Sequence, residues 1–195
     1  MDIHSVMLPC ILNGKERELS SIEEREMSGE LDYITADYLK AALLRGLAEC
    51  KIANSFLEIA KPLKNISRVV DTLHKDGLKC IVITVGPRQV SKVVCDMYGF
   101  DEHYGSNYEV IDGVFTGKIL DYVSAEEKGE CLIDFCKRND IVLAECIAVG
   151  DGMTDLPIFN LCGKSIALNA SPDLRQYATV VIETQDLADV LQYIA

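Results

Sequence analysis

From residue 78 onward the chain alternates between short apolar runs and helical segments, and this alternation restricts its possible folds more than any other feature. Leu78–Thr84 and Glu145–Val149 are rich in apolar and β-branched residues, which predicts two buried strands. Residues 87–98 and 125–138 repeat apolar positions at helical spacing. Strands that alternate with helices favour a doubly wound, mainly parallel α/β sheet with right-handed crossovers.

Further elements are predicted on both sides of these segments. A hairpin is expected over residues 107–117, turning at Asp112-Gly113, with later strands at 165–168 and 179–182 and a last helix at 186–194. The first part of the chain has helical periodicity instead. The predicted helices open at Ser20-Ser21 in a capping-box-like sequence and then cover 32–47, 49–60 and 62–77.

Charge and length exclude several functions. The chain has 195 residues and a formal net charge of −12, which argues against a surface for nucleic acid or anionic membranes. No apolar run approaches the roughly 18 residues of a membrane span, and the first residues do not resemble a signal peptide. A cytoplasmic location is therefore expected. The eight cysteines are interpreted as reduced, mostly buried thiols in preference to a zinc site, because they form no Cys-x-x-Cys pair.

The octapeptide Ala148–Asp155 places two carboxylates and two glycines directly after a predicted strand. Ligands of open α/β sheets bind at the carboxyl ends of strands, where Asp151 would lie. Carboxylate oxygens suit Mg²⁺, which takes one or two of them and fills its other positions with water and substrate phosphate. Asp151 and Asp155 are therefore candidate metal ligands. A turn with an Asx-type cap explains the octapeptide alone equally well.

Two other segments carry groups suited to phosphate. Thr84 ends a predicted strand, so that its hydroxyl and the N–H groups of Val85 and Gly86 would face the same sheet edge at a helix start. Lys128 lies near the start of a predicted helix, where its ammonium would reach the site. Taken singly, Lys128 reads more simply as a solvated partner of neighbouring acids. The order and spacing of the segments carry the prediction.

In this order the motifs resemble the haloacid dehalogenase superfamily, and within it the phosphoserine phosphatase group with a small helical cap. The similar segments are Met27–Tyr33, Ile83–Gly86, residues 107–117, Lys128, Val149–Asp155 and Ile166–Ala170. The resemblance implies a helical cap at 1–61 and an α/β core at 62–195. It also implies a Mg²⁺-dependent phosphomonoesterase in which Thr84 and Lys128 hold the phosphoryl group, Asp151 binds the metal, and Asp155 binds or orients it.

One motif of that family is missing. Its members attack phosphorus with the first Asp of an Asp-x-Asp-x-Thr motif, and no Asp-x-Asp precedes residue 27 here. Counting back along the family spacing places the motif just before Met1, and Asp2 has no second Asp two residues on. Without a positioned nucleophile, residues 1–195 are expected to be inactive by the family route and compromised in stability. The segment His4–Leu12 would fill the empty strand position or form a helix, and Pro9 favours the helix.

The positions that resemble the family's substrate-binding Glu and Arg are His4 and Lys40, and Thr154 replaces a usual Asn. An ammonium does not match a carboxylate as an Arg fork does, so a small phosphorylated metabolite other than phosphoserine is expected. The alternative is a non-catalytic module of this fold that binds a phosphorylated ligand or a protein. A receiver-like phosphoacceptor is a weaker interpretation, because no acidic cluster lies near the amino terminus.

Overall fold

The computed structural model describes residues 5–194. Its α-helices are α1 Met7–Leu12, α2 Glu16–Met27, α3 Tyr33–Ala42, α4 Cys50–Ala60, α5 Ile66–Lys75, α6 Arg88–Tyr98, α7 Ala125–Arg138, α8 Leu156–Leu161 and α9 Pro172–Arg175. Its strands are β1 Ile81–Pro87, β2 Glu102–Ile111, β3 Val114–Asp121, β4 Ile147–Gly150, β5 Lys164–Leu168 and β6 Val180–Ile182. Short 3-10 helices cover Leu143–Glu145, Met153–Asp155 and Leu187–Tyr193. The predicted α/β class is confirmed.

The chain forms two compact units. The first contains residues 1–62, 84–97 and 102–123, and the second contains residues 63–83, 98–101 and 124–195. The change at Pro62 lies one residue from the predicted boundary between cap and core. The first unit also includes α6 and the hairpin, which the sequence had assigned to the core. The division into a functional cap and core stays a prediction.

The first unit combines α1–α4 with the β2–β3 hairpin. Leu8, Leu44, Ile52, Phe56 and Phe115 are fully buried in it. The hairpin turns at Asp112 and Gly113, whose φ angles of 51° and 75° place both in the left-handed region. Asp and Gly adopt that region more easily than other residues, so the predicted hairpin is confirmed.

The second unit contains a parallel sheet in the order β4–β5–β6. Two buried clusters cover this sheet. Ile166 and Leu168 pack with Val69 and Val190, whereas Ala167 packs with Phe159 and other residues of the second cluster. Neighbouring residues of β5 thus contribute to different clusters, as the alternation of side chains along a strand requires. A continuous apolar strand, buried on both faces, is typical of parallel sheets.

Several predicted boundaries were wrong. β1 extends from Ile81 to Pro87 rather than from 78 to 84, so Thr84 lies inside the strand instead of at its end. Gly86 precedes a proline, which favours extended backbone. The capping box lies at Ser124 and Glu127, on α7, whereas α2 begins at Glu16 without a side-chain cap. The last helix, predicted at 186–194, is a 3-10 helix that covers Leu187–Tyr193.

Pro9 lies in α1, so the helical interpretation of that segment is confirmed for residues 7–12. Ser5 and Val6 form a turn before this helix, and His4 lies outside the described residues. A cavity of about 110 Å³ lies in the second unit, between Ile81 and Ile83 of β1 and residues 147–149 of β4. Among the described strands, β1 and β4 are each the last of a three-stranded sheet. Most of the side chains that line the cavity are apolar, and the expected loss of stability stays a prediction.

Candidate active site

The loop after β4 is organised around the carboxylate of Asp155. Its Oδ2 atom accepts hydrogen bonds from the backbone N–H groups of Asp151 at 2.9 Å and Gly152 at 3.3 Å. The loop is fixed further because the N–H of Ser171 donates to the carbonyl oxygen of Asp151 at 2.8 Å. Asp155 therefore holds the backbone of Asp151 in place from four residues downstream.

Lys128 is the partner of the other Asp155 oxygen. The Nζ atom donates to Oδ1 at 2.5 Å, and the side chains of Lys128 and Asp155 are 5% and 15% exposed. The capping box of α7 positions this lysine one turn into the helix: the N–H of Glu127 bonds the Ser124 side chain, and the Glu127 carboxylate accepts the Ser124 N–H. Burial of an ion pair is tolerated only when the pair is well satisfied, which the two backbone donors ensure.

Asp151 differs from Asp155 in being exposed. No hydrogen bond or ion pair to its carboxylate is found among residues 5–194. In the same described range, no group of three or more His, Cys, Asp or Glu side chains is arranged to hold a metal. A cation here would thus take one or two protein carboxylates and complete its shell with water and phosphate, which is the mode of Mg²⁺. The residues present fit that ion.

Gly150 is required by this arrangement. A Cβ atom at this position would overlap the side chain of Asp155, lying only 2.7 Å from its Cβ. At Gly152, by contrast, an added Cβ would meet nothing within 4 Å. The first glycine of the Gly-Asp-Gly sequence therefore admits the Asp155 carboxylate, and the second has no comparable steric role.

Thr84 lies in the first unit, inside β1. Its hydroxyl is 2.6 Å from the Ser5 Oγ and accepts the N–H of Gly86 at 3.1 Å. A phosphate oxygen bound here would replace the Ser5 hydroxyl as the partner of Thr84. The close approach of Ser5 also leaves little space for a side chain at residue 86. A Cβ atom on Gly86 would lie 3.1 Å from the Ser5 Cβ and 3.2 Å from the backbone nitrogen of Val6.

The first unit also contains a buried charged cluster. Lys40 Nζ donates to Glu26 at 2.7 Å and lies 3.8 Å from Asp37, which accepts the Tyr122 hydroxyl at 2.5 Å. Burial raises the pKa of Asp37, and the bonds from Tyr122 and Lys40 oppose that rise. Burial, followed by the bond to Asp37, raises the pKa of Tyr122. The ammonium of Lys40 is therefore matched by carboxylates of its own unit.

The structure brings Asp151, Asp155 and Lys128 together within the second unit, and it places Thr84, Val85 and Gly86 on one strand of the first. Sequence reasoning missed the direct bond between Lys128 and Asp155, which are 27 residues apart and have no pairing signal. It also missed Ser5, a single hydroxyl in a short segment. The roles of all six predicted residues as ligands of phosphate or metal stay predictions.

Comparison with known proteins identifies relatives over most of the chain. Residues 10–160 match the family model of haloacid dehalogenase-like hydrolases. The phosphoserine phosphatase of Streptococcus thermophilus is 33% identical over 180 residues, covering 92% of this chain and 83% of that protein. The phosphoserine phosphatase of Methanocaldococcus jannaschii is 30% identical over 182 residues, covering 93% and 86%.

Solved structures agree with these relatives. A substrate-bound phosphoserine phosphatase complex superposes with a TM-score of 0.85 at 27% identity, covering 98% of this chain and 91% of that one. A phospho-aspartyl intermediate analogue of phosphoserine phosphatase has the same TM-score and identity and covers 98% and 92%. The resemblance inferred from the separate motifs is confirmed.

Proposed function

Because the chain belongs to the haloacid dehalogenase-like hydrolases, we propose that it is the phosphoryl-transfer part of a Mg²⁺-dependent phosphomonoesterase. The observation that carries this proposal is the buried Lys128–Asp155 pair beside the exposed carboxylate of Asp151. The relatives support the reaction class, since two that are at least 30% identical are named phosphoserine phosphatases. Within residues 5–194, no helix has the length and apolar character needed to cross a bilayer.

Each polar group of the second unit has a proposed task. Asp151 supplies a carboxylate ligand to Mg²⁺, which when bound neutralises charge on the phosphoryl oxygens. Asp155 accepts the N–H groups of Asp151 and Gly152 and fixes Lys128 through an ion pair. Lys128 retains donor capacity, because an ammonium has three protons and Asp155 uses one. The remaining protons are available to phosphoryl oxygens.

Thr84 is proposed as a second phosphate ligand. Its hydroxyl already has an oxygen, that of Ser5, at hydrogen-bond distance. A phosphate oxygen would use the same donor. The Gly86 N–H, which now bonds Thr84, and the Val85 N–H are the adjacent backbone donors proposed to complete this part of the site. Backbone N–H groups that line an anion site need no counter-charge.

The proposed substrate is a small phosphorylated metabolite, as for the relatives. The state of Lys40 favours one other than phosphoserine. Its side chain is 8% exposed and paired with Glu26 and Asp37, so it offers little to a substrate carboxylate. A substrate that lacks a free carboxylate would not need to compete with Glu26 and Asp37 for the ammonium of Lys40. Phosphoserine and phosphoethanolamine differ in the carboxylate. Their hydrolysis rates with a protein extended at its start by the missing Asp-x-Asp-x-Thr strand test this choice, and a large preference for phosphoserine would contradict it.

The nucleophile is the remaining requirement. An aspartyl-phosphate intermediate needs an Asp in front of the phosphorus, and Asp2 lies outside the described residues. In sequence, Asp2 precedes Ser5 by three residues, and the Ser5 hydroxyl contacts Thr84. The lack of a second Asp at residue 4 still predicts little or no turnover for residues 1–195.

The proposal is tested with p-nitrophenyl phosphate and Mg²⁺ on two proteins. One protein consists of residues 1–195, and the other carries an added upstream strand that ends in Asp-x-Asp-x-Thr. Turnover is expected in the extended protein and should be lost in its Asp151→Asn variant. Turnover by the unextended chain that disappears in Asp2→Asn would instead assign the nucleophile to Asp2.

No turnover by a folded extended protein would remove the phosphatase proposal. In that case, binding of phosphate with Mg²⁺ would support the alternative of a non-catalytic module that binds a phosphorylated ligand.

A further inference from the structure

A pair of cysteines in the second unit is unrelated to the phosphate groups. The Sγ atoms of Cys136 and Cys146 are 3.5 Å apart. Cys136 lies in the last turn of α7 and is 3% exposed, whereas Cys146 directly precedes β4 and is half-buried. The eight cysteines are all free thiols in the structure, and this thiol–thiol hydrogen bond joins two of them.

We propose that Cys136 and Cys146 form a reversible intramolecular disulfide when a peroxide oxidises the protein. A disulfide bond is about 2.05 Å long, so the two sulfur atoms need to approach by roughly 1.5 Å. Rotation of the two side chains is the simplest way to close a gap of that size. The bond would tie the end of α7 to the start of β4, and these elements carry Lys128 and lead to Asp151.

The reaction balances with hydrogen peroxide as oxidant. The more accessible sulfur, that of Cys146, attacks one peroxide oxygen. An S–O bond forms, the O–O bond breaks, and the departing hydroxide leaves as water with the thiol proton. The Cys136 sulfur then attacks the sulfenic sulfur of Cys146, so that the S–S bond forms, the S–O bond breaks and a second water leaves. Two thiols lose two electrons, which peroxide gains.

The surroundings of Cys136 and Cys146 slow the oxidation by peroxide but favour the disulfide between these two residues over reaction with external thiols. Burial raises the pKa of Cys146, and its hydrogen bond with Cys136 and the nearby Cys162 and Glu145 raise that pKa further. The thiolate is therefore scarce at neutral pH, which slows the first step. Once the sulfenic acid forms, a thiol already 3.5 Å away competes favourably with external thiols for the second step.

Cys162 is the rival partner. It is half-buried and lies near enough to both cysteines for their charges to affect one another, and burial followed by Cys136 raises its pKa to about 11. No hydrogen bond joins it to either sulfur among the described residues. The geometry therefore favours Cys136 over Cys162 as the residue that resolves an oxidised Cys146.

The experiment maps disulfides in the folded chain after graded peroxide treatment, with free thiols blocked before digestion. A Cys50→Ser background removes an exposed thiol that would link molecules together. Trypsin cuts after Lys137 and Arg138, which separates Cys136 from Cys146. Cleavage at Asp134 and Asp151 then separates Cys131 from Cys136 and Cys146 from Cys162.

The expected result is a cross-linked peptide pair containing Cys136 and Cys146, which dithiothreitol reverses. In Cys136→Ala, sulfenic acid at Cys146, trapped with dimedone, should increase several-fold because the resolving thiol is gone. Two results would overturn the proposal. One is a disulfide between Cys146 and Cys162, and the other is oxidation of Cys146 to sulfinic acid while Cys136 remains a free thiol. The mapping in the Cys50→Ser background, where Cys136 is intact, is decisive even where the Cys136→Ala variant does not fold.

Discussion

Removal of the Asp155 carboxylate is expected to destabilise the protein strongly. In Asp155→Ala, Lys128 keeps a charge on a side chain that is only 5% exposed and loses its ion-pair partner. Breaking a buried ion pair in this way typically costs about 3–5 kcal/mol. The N–H groups of Asp151 and Gly152 also lose their acceptor, although they lie near the surface, where water can replace it. The free energy of unfolding should therefore fall by about 3–5 kcal/mol.

Lys128→Met should cost less, about 1.5–3 kcal/mol, because Asp155 keeps both backbone donors. The double variant Lys128→Met with Asp155→Ala leaves no unpaired buried charge. Its loss should be smaller than the sum of the two single losses by at least about 1 kcal/mol. Urea unfolding followed by far-ultraviolet circular dichroism gives each free energy, and the m-values should not change.

The matched control is the exposed pair Lys92–Asp96, with side chains 61% and 62% exposed. Its removal should change stability too little to resolve, since surface pairs contribute little. A loss below about 1 kcal/mol in Asp155→Ala, or a coupling no larger than that of the control pair, would refute the reasoning that burial makes this ion pair important.

Three further predictions follow from local contacts. Gly150→Ala forces a Cβ into the carboxylate of the loop, so its thermal midpoint should fall, whereas Gly152→Ala, with nothing within 4 Å, should leave it nearly unchanged. Tyr122→Phe removes a hydrogen-bond donor to Asp37, so the free energy of unfolding at neutral pH, measured with urea, should fall by about 1–2 kcal/mol. Burial already raises the pKa of Asp37, and the variant should raise it further. The difference in stability from the wild type should therefore shrink in acid, where Asp37 is protonated in both proteins. Burial raises the pKa of Asp101, but the hydrogen bonds with the Cys80 N–H and the His74 side chain outweigh burial and lower that pKa overall. Its stabilising contribution is therefore present above the unfolded value of 3.8 and lost as pH falls through the folded pKa, so the stability difference from Asp101→Asn should be largest at neutral pH and shrink in acid.

The sequence predicted most of the elements because their signals are local. The Asp112-Gly113 turn and the bounds of α7 at residues 125–138 depend on residue types at neighbouring positions, and both agree with the structure. The end of β1 depends on more distant partners. The Ser106 hydroxyl donates to the carbonyl oxygen of Val85 at 2.6 Å, a contact 21 residues away that no periodicity reveals.

The candidate site shows the same division. Asp151 was predicted to be a metal ligand from a short motif that places a carboxylate after a strand, and this role stays a prediction. The pairing of Lys128 with Asp155 was not identified, since it joins two helical segments 27 residues apart. The cluster around Lys40 was also missed, because Glu26 of α2 approaches Lys40 of α3 only when the two helices pack.

The central claim is that Asp151 is the carboxylate that binds Mg²⁺. Isothermal titration of the chain with Mg²⁺ in the presence of orthophosphate tests it most directly. The wild-type chain should bind Mg²⁺, and Asp151→Asn should bind it at least about tenfold more weakly because a direct ligand is lost. Asp173→Asn is the control, since Asp173 is an exposed residue of α9 and the substitution changes the charge equally. This control should bind Mg²⁺ as the wild type does. Equal Mg²⁺ affinity in wild type and Asp151→Asn would contradict the claim.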